Sequence, residues 1–369
     1  MNIIRSIWNK IMYRCYDRNV PFMEVYYFLK NNINDYVKEY DGKTGDKRKM
    51  LWNLFRYGCC YDEYFLFDIR NQKHGARDFI TDIGRIPCNR KLNKRENQID
   101  FDDKARTYEI FGEYYKRNLV KITCREDFDA WCAAHKEFIL KPLDAGLGRG
   151  VRLIKLGETE ESERGAACGE GAGNGEGAAG AGSVETIDSV WKKTCKVLPF
   201  IVEEKIVQSS DMAAFQPESV NTIRINLILT GDMDGACEIC NYYPLLRTGQ
   251  GGSVVDNASA GGILCQIDED GIVSTEGRDK LGRAFTEHPD THVTFKGFKL
   301  PDWEQAIDIC EKAALSYGKN RYMSFDLAHT DEFGWVIVEI NARGQFTGTQ
   351  LFDKIGKKKE LEEICAKVK

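Results

Sequence analysis

The stretch Met323–Arg343, MSFDLAHTDEFGWVIVEINAR, decides how this chain folds and where its chemistry lies. Two apolar runs flank the turn Thr330–Gly334, a pattern that predicts a β-hairpin. Side chains alternate along a strand, so Glu339 and Asn341 share a face and the hairpin brings Asp326 beside them. Two carboxylates and an amide oxygen are hard ligands that suit Mg²⁺ or Mn²⁺. The other interpretation is an outward-facing polar side of an amphipathic strand.

A second motif, FILKPLDAGLGRGVRLIKL, covers residues 138–156. A strand delivers Lys141, and the glycines after it let the backbone lie close to an anion. The loop is neither a Walker A motif nor a dinucleotide fingerprint, because no Gly-Lys-Ser/Thr follows and the next element is a strand. It therefore predicts a hairpin flap over phosphates, although an ordinary glycine-rich turn with surface charges fits the same letters. The loop residues proposed to contact phosphate are Gly146, Gly148, Arg149 and Gly150.

Composition places the chain among soluble globular proteins. Its 369 residues are 42% hydrophobic and 30% charged, enough for two or three packed subdomains. The net charge of −5 argues against a general nucleic-acid binder. Residues 1–98 nevertheless hold 19 Lys and Arg against 12 Asp and Glu. That basic front could meet an anionic polymer or the inner membrane leaflet, or could be a solvated face.

Three further features bear on location and on the glycine content. No apolar run approaches the roughly 18 residues of a membrane span. The 13 cysteines are odd in number and scattered, which indicates a reducing, cytoplasmic setting. Of the 34 glycines, eight fall within residues 165–182, a Gly/Ala-rich stretch with little to bury. We predict a flexible insertion there.

The order of patterns predicts an α+β (α/β) fold in three parts. Residues 1–98 are expected to be a mostly helical, basic region that begins with an amphipathic helix. Residues 99–205 are expected to form a lid or central subdomain that carries the 165–182 insertion. Residues 206–369 are expected to form a strand-rich subdomain that carries the metal site.

Four more segments, together with the two motifs above, carry a family resemblance. The segments are FDDKARTY, PFIVEEKIVQSSD, ESVNTIRINLIL and NYYPLLRTGQGGSVVDNASAGGI. In order and spacing they resemble the ATP-grasp superfamily over roughly residues 99–355. The nearest likeness is to the sugar-transfer-associated (polysaccharide-cluster) ATP-grasp proteins related to α-L-glutamate ligases. This resemblance implies two α+β subdomains that grip ATP, preceded here by the helical region.

The resemblance also implies roles for individual positions. Lys104 and Lys141 match the lysines that contact the ATP phosphates, and Asp211 matches the acid that binds the ribose hydroxyls. Arg224 and Arg247, with Lys141, match the cations around the transferred phosphoryl group. The hinge that binds adenine corresponds to Glu203, Glu204, Lys205 and Ile206. The remaining implied ligands are Asn257 near the γ-phosphate and Asp326, Glu339 and Asn341 for the metal.

The activity that the resemblance implies is that of an ATP-dependent, ADP-forming carboxylate–amine ligase with ATP and Mg²⁺ (or Mn²⁺). Its expected substrate is a polysaccharide-precursor sugar acid or an amino acid attached to one, with polysaccharide-assembly enzymes as partners. Peripheral membrane contact is compatible with the sequence but not predicted. Two alternatives stay open: a sugar-kinase-like phosphotransferase on the same fold, and a non-catalytic ATP-binding scaffold. The 165–182 insertion departs from the family pattern, and residues 1–98 do not match a complete substrate domain.

Overall fold

The computed structural model describes residue 29 and residues 31–143, 150–157, 184–232, 237–251 and 261–368. The amphipathic start of the chain and the 165–182 insertion lie outside these residues. The described part contains twelve α-helices and two β-sheets, which confirms the α+β prediction. No helix in that part combines the length and the apolar character that crossing a membrane requires.

Residues 31–98, all of which the structure describes, form helices and turns without a strand. Asn32 caps the first helix because its side chain accepts a hydrogen bond from the Asn34 amide. Gly58 ends the second helix in the left-handed conformation at φ +66°, where a Cβ would lie 2.7 Å from the Gly84 nitrogen. The helices are α1 (Ile33–Glu39), α2 (Asp46–Tyr57), α3 (Tyr61–Leu66) and α4 (Ile86–Leu92).

Two helices then lead into the first sheet. Helix α5 (Ile99–Asp102) is followed at once by α6 (Lys104–Tyr115). The Asp103 carboxylate caps α6 by accepting from the Ala105 and Arg106 amides. This cap fixes Lys104 at the first position of the helix.

The first sheet has five strands in the order β1-β5-β2-β3-β4. Helices α7 (Arg125–Ala134) and α8 (Ile187–Thr194) pack against each other. Their side chains share an apolar core with the strands. Strand β2 pairs antiparallel with β3, so the two strands of the glycine-rich motif form the hairpin predicted from the sequence. The strands are β1 (Leu119–Ile122), β2 (Glu137–Pro142), β3 (Arg152–Leu156), β4 (Val184–Glu185) and β5 (Phe200–Glu204).

The second sheet has eight strands in the order β11-β10-β9-β8-β6-β12-β13, with β7 also paired to β6. A short helix, α9 (Ser210–Ala213), precedes it. Every pairing between two of these described strands is antiparallel. Its strands are β6 (Thr222–Gly231), β7 (Cys237–Asn241), β8 (Leu245–Thr248), β9 (Ile263–Gln266), β10 (Gly277–Arg278), β11 (Ala284–Phe285), β12 (Tyr322–Thr330) and β13 (Gly334–Asn341).

One face of this second sheet is covered by α6 and by α10 (Trp303–Tyr317). Ile225 and Phe325 lie in the core with Ala306 and Cys310 of α10. Because side chains alternate along a strand, the polar residues between those apolar ones face the other side. That second face carries the candidate site.

The chain ends with α11 (Thr347–Gln350) and α12 (Lys358–Ala366), which return to the helical region. Leu351 lies in the core of α2 and α3, and Leu361 packs in a cluster with Leu92 at the end of α4. The helical region therefore shares its apolar cores with the segment that follows β13.

Candidate functional site

Asp326 lies at the centre of the candidate site, held by two arginines from neighbouring strands. It faces Arg224 across the β12–β6 pair, and the two side chains form a bidentate ion pair. Arg224 donates from Nε to Oδ1 and from Nη2 to Oδ2, at 2.7 Å in each case. Arg247 of β8 lies 2.9 Å away, measured from Nη1 to Oδ2. Burial alone would raise the pKa of Asp326, but Arg224 and Arg247 outweigh it and hold that pKa below its ordinary value.

The second carboxylate stands directly beside the first. Glu339 is the cross-strand partner of Asp326, and Asn341 is the partner of Ser324 two residues away. The register shifts at a β-bulge between Asp326 and Leu327. Lys104 reaches this carboxylate from the start of α6, with 3.3 Å between Lys104 Nζ and Glu339 Oε1. The two predicted carboxylates and the amide therefore share one corner of the sheet.

The other predicted phosphate lysine is held by the first sheet. Lys141 on β2 forms an ion pair with Glu203 on β5. Arg117 binds the other oxygen of Glu203, with 3.0 Å between Nη2 and Oε2. Burial would raise the pKa of Glu203, yet Lys141 and Arg117 hold it below its ordinary value. Lys104, Lys141 and Glu339 line one narrow space between the two sheets.

Arg117 is a buried residue beside the candidate site that the sequence analysis missed. Its Nη1 donates to the Ile337 carbonyl at 2.6 Å, and its Nη2 also donates to the Val338 carbonyl at 3.3 Å. The buried guanidinium thus joins the hinge strand to the residues just before Glu339. No local pattern marks it, because its neighbour Lys116 is equally basic and lies at the surface.

The hinge segment borders an open crevice of about 470 Å³. Strand β5 ends at Glu204, so Lys205 and Ile206 lie beyond the strand and line the crevice. The Glu204 carboxylate points back into its own sheet, where it accepts from the Asn118 amide at 2.8 Å. Exposed apolar side chains at the crevice are Val207 and Phe333.

The structure gives less information about the other site residues predicted from the sequence. Asp211 is exposed on α9, which is anchored where the Ser209 amide donates to the His329 carbonyl at 2.8 Å. Gly150 has φ +74°, and a Cβ there would lie 2.8 Å from Pro142 Cγ. Gly146, Gly148, Arg149 and Asn257 lie outside the described residues.

Asn93 is another residue near the site that no sequence signal revealed. Its side-chain amide donates to the Tyr322 and Ala342 carbonyls, both at 2.8 Å. Its oxygen accepts from the Tyr322 amide at 2.9 Å. One buried side chain of the helical region therefore fixes the start of β12 and the residue after Asn341.

The chemistry of these donors fits a hard divalent cation. Asp326, Glu339 and Asn341 offer only oxygen ligands, which Mg²⁺ and Mn²⁺ prefer. Within the described ranges no three His, Cys, Asp or Glu side chains cluster as a metal site. Arg224, Arg247 and Lys104 already neutralise both carboxylates. A cation therefore fits best together with an anionic partner that occupies those three bases.

Comparison with known proteins identifies the family to which the chain belongs. A family model for sugar-transfer associated ATP-grasp proteins matches residues 85–366. The chain belongs to that family. A search of the curated proteins finds no match.

Several solved structures are similar at a low level. The ATP-grasp ligase PsnB with its minimal precursor is 13% identical, with a TM-score of 0.40 over 75% of this chain and 63% of that one. The N5-carboxyaminoimidazole ribonucleotide synthetase PurK with ADP is 10% identical, with a TM-score of 0.39 over 68% of this chain and 47% of that one. The biotin carboxylase domain of the Hydrogenobacter thermophilus 2-oxoglutarate carboxylase with MgADP is 13% identical, with a TM-score of 0.40 over 72% and 45%. The chain thus spans less than two thirds of PsnB, and the family assignment rests on the family model.

Proposed function

We propose that the chain is an ATP-dependent, ADP-forming ligase that joins a carboxylate to an amine. The observation that carries this proposal is a set of five cations paired with three carboxylates, namely Asp326 and Glu339 on adjacent strands of the second sheet and Glu203 of the first sheet. Such a set is suited to a polyphosphate with its counter-cation. The members are Lys104, Arg117, Lys141, Arg224 and Arg247, with Asp326 and Glu339 as the acids of the second sheet.

In this proposal ATP lies between the two sheets. The base would rest in the crevice beside Lys205 and Ile206, where Val207 and Phe333 offer apolar contact. The phosphates would lie between Lys104 and Lys141. Asp211 would bind the ribose. Asp326, Glu339 and Asn341 would hold Mg²⁺, which when bound offsets the charge of the β- and γ-phosphates.

The proposed reaction needs no nucleophilic side chain. An oxygen of the substrate carboxylate attacks the γ-phosphorus, the bond to ADP breaks, and an acyl phosphate forms. An amine then attacks the acyl carbon, loses a proton and displaces phosphate. Arg224, Arg247 and Lys141 would stabilise the charge on the transferred phosphoryl group, because they are fixed before the reaction begins. The proposed substrate is a polysaccharide-precursor sugar acid or an amino acid attached to one, in keeping with a family described as sugar-transfer associated.

A trapping experiment tests this reaction. The protein is incubated with ATP, Mg²⁺ and a panel of uronic acids and amino acids in the presence of hydroxylamine. We expect ADP and a hydroxamate from the correct carboxylate. Release of AMP would contradict the acyl-phosphate scheme. A stable phosphorylated sugar would identify a phosphotransferase, and nucleotide binding without turnover would identify a scaffold.

The matched variants for that experiment are Glu339→Gln and Glu363→Gln. The Glu339 side chain is 36% exposed, so its neutralisation should cost little stability while removing a proposed ligand. Glu363 is an exposed acid on α12, remote from the sheet face. We expect loss of ADP formation only in the first variant. Equal turnover in both would show that the carboxylate of Glu339 has no role.

A further inference from the structure

Helix α2 presents an apolar surface to solvent that its fold does not use. Met50 and Leu54 pack inward, into the core shared with α3. On the opposite side Trp52 is 62% exposed and Phe55 is 60% exposed. Residues three apart on a helix are neighbours, so the two rings form one projecting patch.

The exposed charges that α2 itself places beside this patch are all positive. Arg48, Lys49 and Arg56 are exposed on the same side of α2. At 100° per residue, Arg48 lies between the two rings, and Lys49 and Arg56 both lie on the side of Trp52 away from Phe55. The only acid of the helix is Asp46, which is buried and accepts from the Lys43 amide and the Tyr64 hydroxyl.

A convex helix face with two exposed aromatic side chains and only positive charges is suited to contact with an anionic lipid surface. Anionic lipid headgroups attract the cations, and the aromatic rings transfer from water into the boundary between headgroups and acyl chains. Arginine and lysine can keep their charge at the phosphates while their stems lie along the apolar layer. Nucleic acid fits less well, because the whole chain carries a net charge of −5.

We propose that the solvent face of α2 is a docking surface for an anionic membrane, with Trp52 and Phe55 entering the headgroup region and Arg48, Lys49 and Arg56 pairing with lipid phosphates. This inference is independent of the proposed ligase reaction. It assigns a role to the basic character of the helical region, and it makes the protein a peripheral partner of the membrane surface.

Vesicle co-sedimentation of the full chain tests the proposal. Vesicles of phosphatidylglycerol and phosphatidylcholine should bind the protein at low salt, whereas pure phosphatidylcholine vesicles should bind it at least about tenfold less. The double variant Trp52→Ser and Phe55→Ser should lower binding to anionic vesicles by about tenfold or more. Lys49→Glu with Arg56→Glu should have a similar effect, and salt should weaken the wild type.

A control double variant distinguishes binding through the α2 patch from nonspecific adsorption of the protein to vesicles. Leu315→Ser with Ile355→Ser removes two other exposed apolar side chains and should bind vesicles as the wild type does. All variants lie at the surface, and circular dichroism checks their fold. The proposal is overturned if the wild type does not bind anionic vesicles, or if the Trp52/Phe55 variant binds them as strongly as the wild type does. It is equally overturned if that variant abolishes a dimer seen by light scattering, since the face would then belong to a second copy.

Discussion

At the scale of single residues, the site depends on buried charges that neutralise one another. Removing a carboxylate such as Asp326 from water is costly unless charged partners and hydrogen bonds replace the solvent. Arg224 supplies both through two hydrogen bonds, and Arg247 adds a second charge. The same arrangement keeps the carboxyl group of Asp326 ionised, which is the form that the proposed metal site requires.

The pH dependence of stability should report this carboxylate. The folded pKa of Asp326 lies below its unfolded value of about 3.9, so its contribution is complete above that pH and is lost as the pH falls through the folded pKa. Asp326→Asn should flatten the decline of the free energy of unfolding below pH ~4 and cost roughly 3–5 kcal/mol at neutral pH. Urea denaturation at several pH values measures both. The exposed Asp331→Asn serves as control, and an identical pH profile for the two variants would contradict the assignment.

Arg117 should matter far more than the lysine beside it. Arg117→Met removes one partner of the buried Glu203 and leaves the Ile337 and Val338 carbonyls short of a donor. We expect a loss of about 3–5 kcal/mol in the free energy of unfolding. Lys116→Met should change it by less than about 0.5 kcal/mol. Comparable losses in both variants, measured by chemical denaturation, would show that the ion pair does not stabilise the fold.

Which of these residues sequence reasoning could find follows from the range of the interactions. Alternation within a strand and one short turn were enough to bring Asp326 and Glu339 together, because both features are local. Arg117 and Asn93 could not be found, since the partners that tie them to the site, such as Glu203 and Tyr322, lie more than 80 residues away in sequence. The pairing of Lys104 with Glu339 was hidden for the same reason.

At the scale of elements, the sequence predicts the hairpin of β12 and β13. It does not predict how closely the loop after β13 packs against β12. The loop after Asn341 lies directly against β12. A Cβ on Gly344 would come within 2.5 Å of Ser324 Cβ and 2.6 Å of the Tyr322 hydroxyl oxygen. The bulge beside Asp326 and the clamp by Asn93 fix the same corner.

Gly344→Ala should therefore disturb the site through the backbone. The added methyl group must push the loop away from β12, at a cost of about 1–3 kcal/mol. Gly45→Ala is the matched control, because nothing lies within 4 Å of a Cβ there and its backbone is already helical. Thermal denaturation compares the two. Equal melting temperatures for Gly344→Ala and the wild type would mean that the loop accommodates the added methyl group without cost, contrary to this prediction.

At the scale of the whole molecule, the helical region and the second sheet are joined by buried polar contacts as well as by apolar cores. Gln350 is fully buried, accepts from the Ile80 amide at 2.9 Å and donates to the Ile80 carbonyl at 2.8 Å. It also accepts from the Lys357 amide. Composition predicted a separate basic front, but charge carries no information about which surfaces pack together.

Gln350→Leu should destabilise both parts together. The substitution keeps the side-chain volume but leaves buried backbone groups of Ile80 without partners, at about 1–3 kcal/mol for each. We expect one cooperative transition shifted to lower denaturant, with the same midpoint for helix content and for tryptophan fluorescence. Two separate transitions would show that the helical region unfolds independently.

The central claim is that ATP and its metal bind between the two sheets, where Lys141 and Glu339 face each other. Calorimetric titration with a non-hydrolysable ATP analogue tests it most directly. We expect Mg²⁺-dependent binding to the wild type, weakened at least about tenfold in Lys141→Met and in Glu339→Gln, a change of about 1.4 kcal/mol. Mg²⁺ alone should bind weakly, because three bases already neutralise its ligands. Unchanged analogue affinity in both variants would contradict the account.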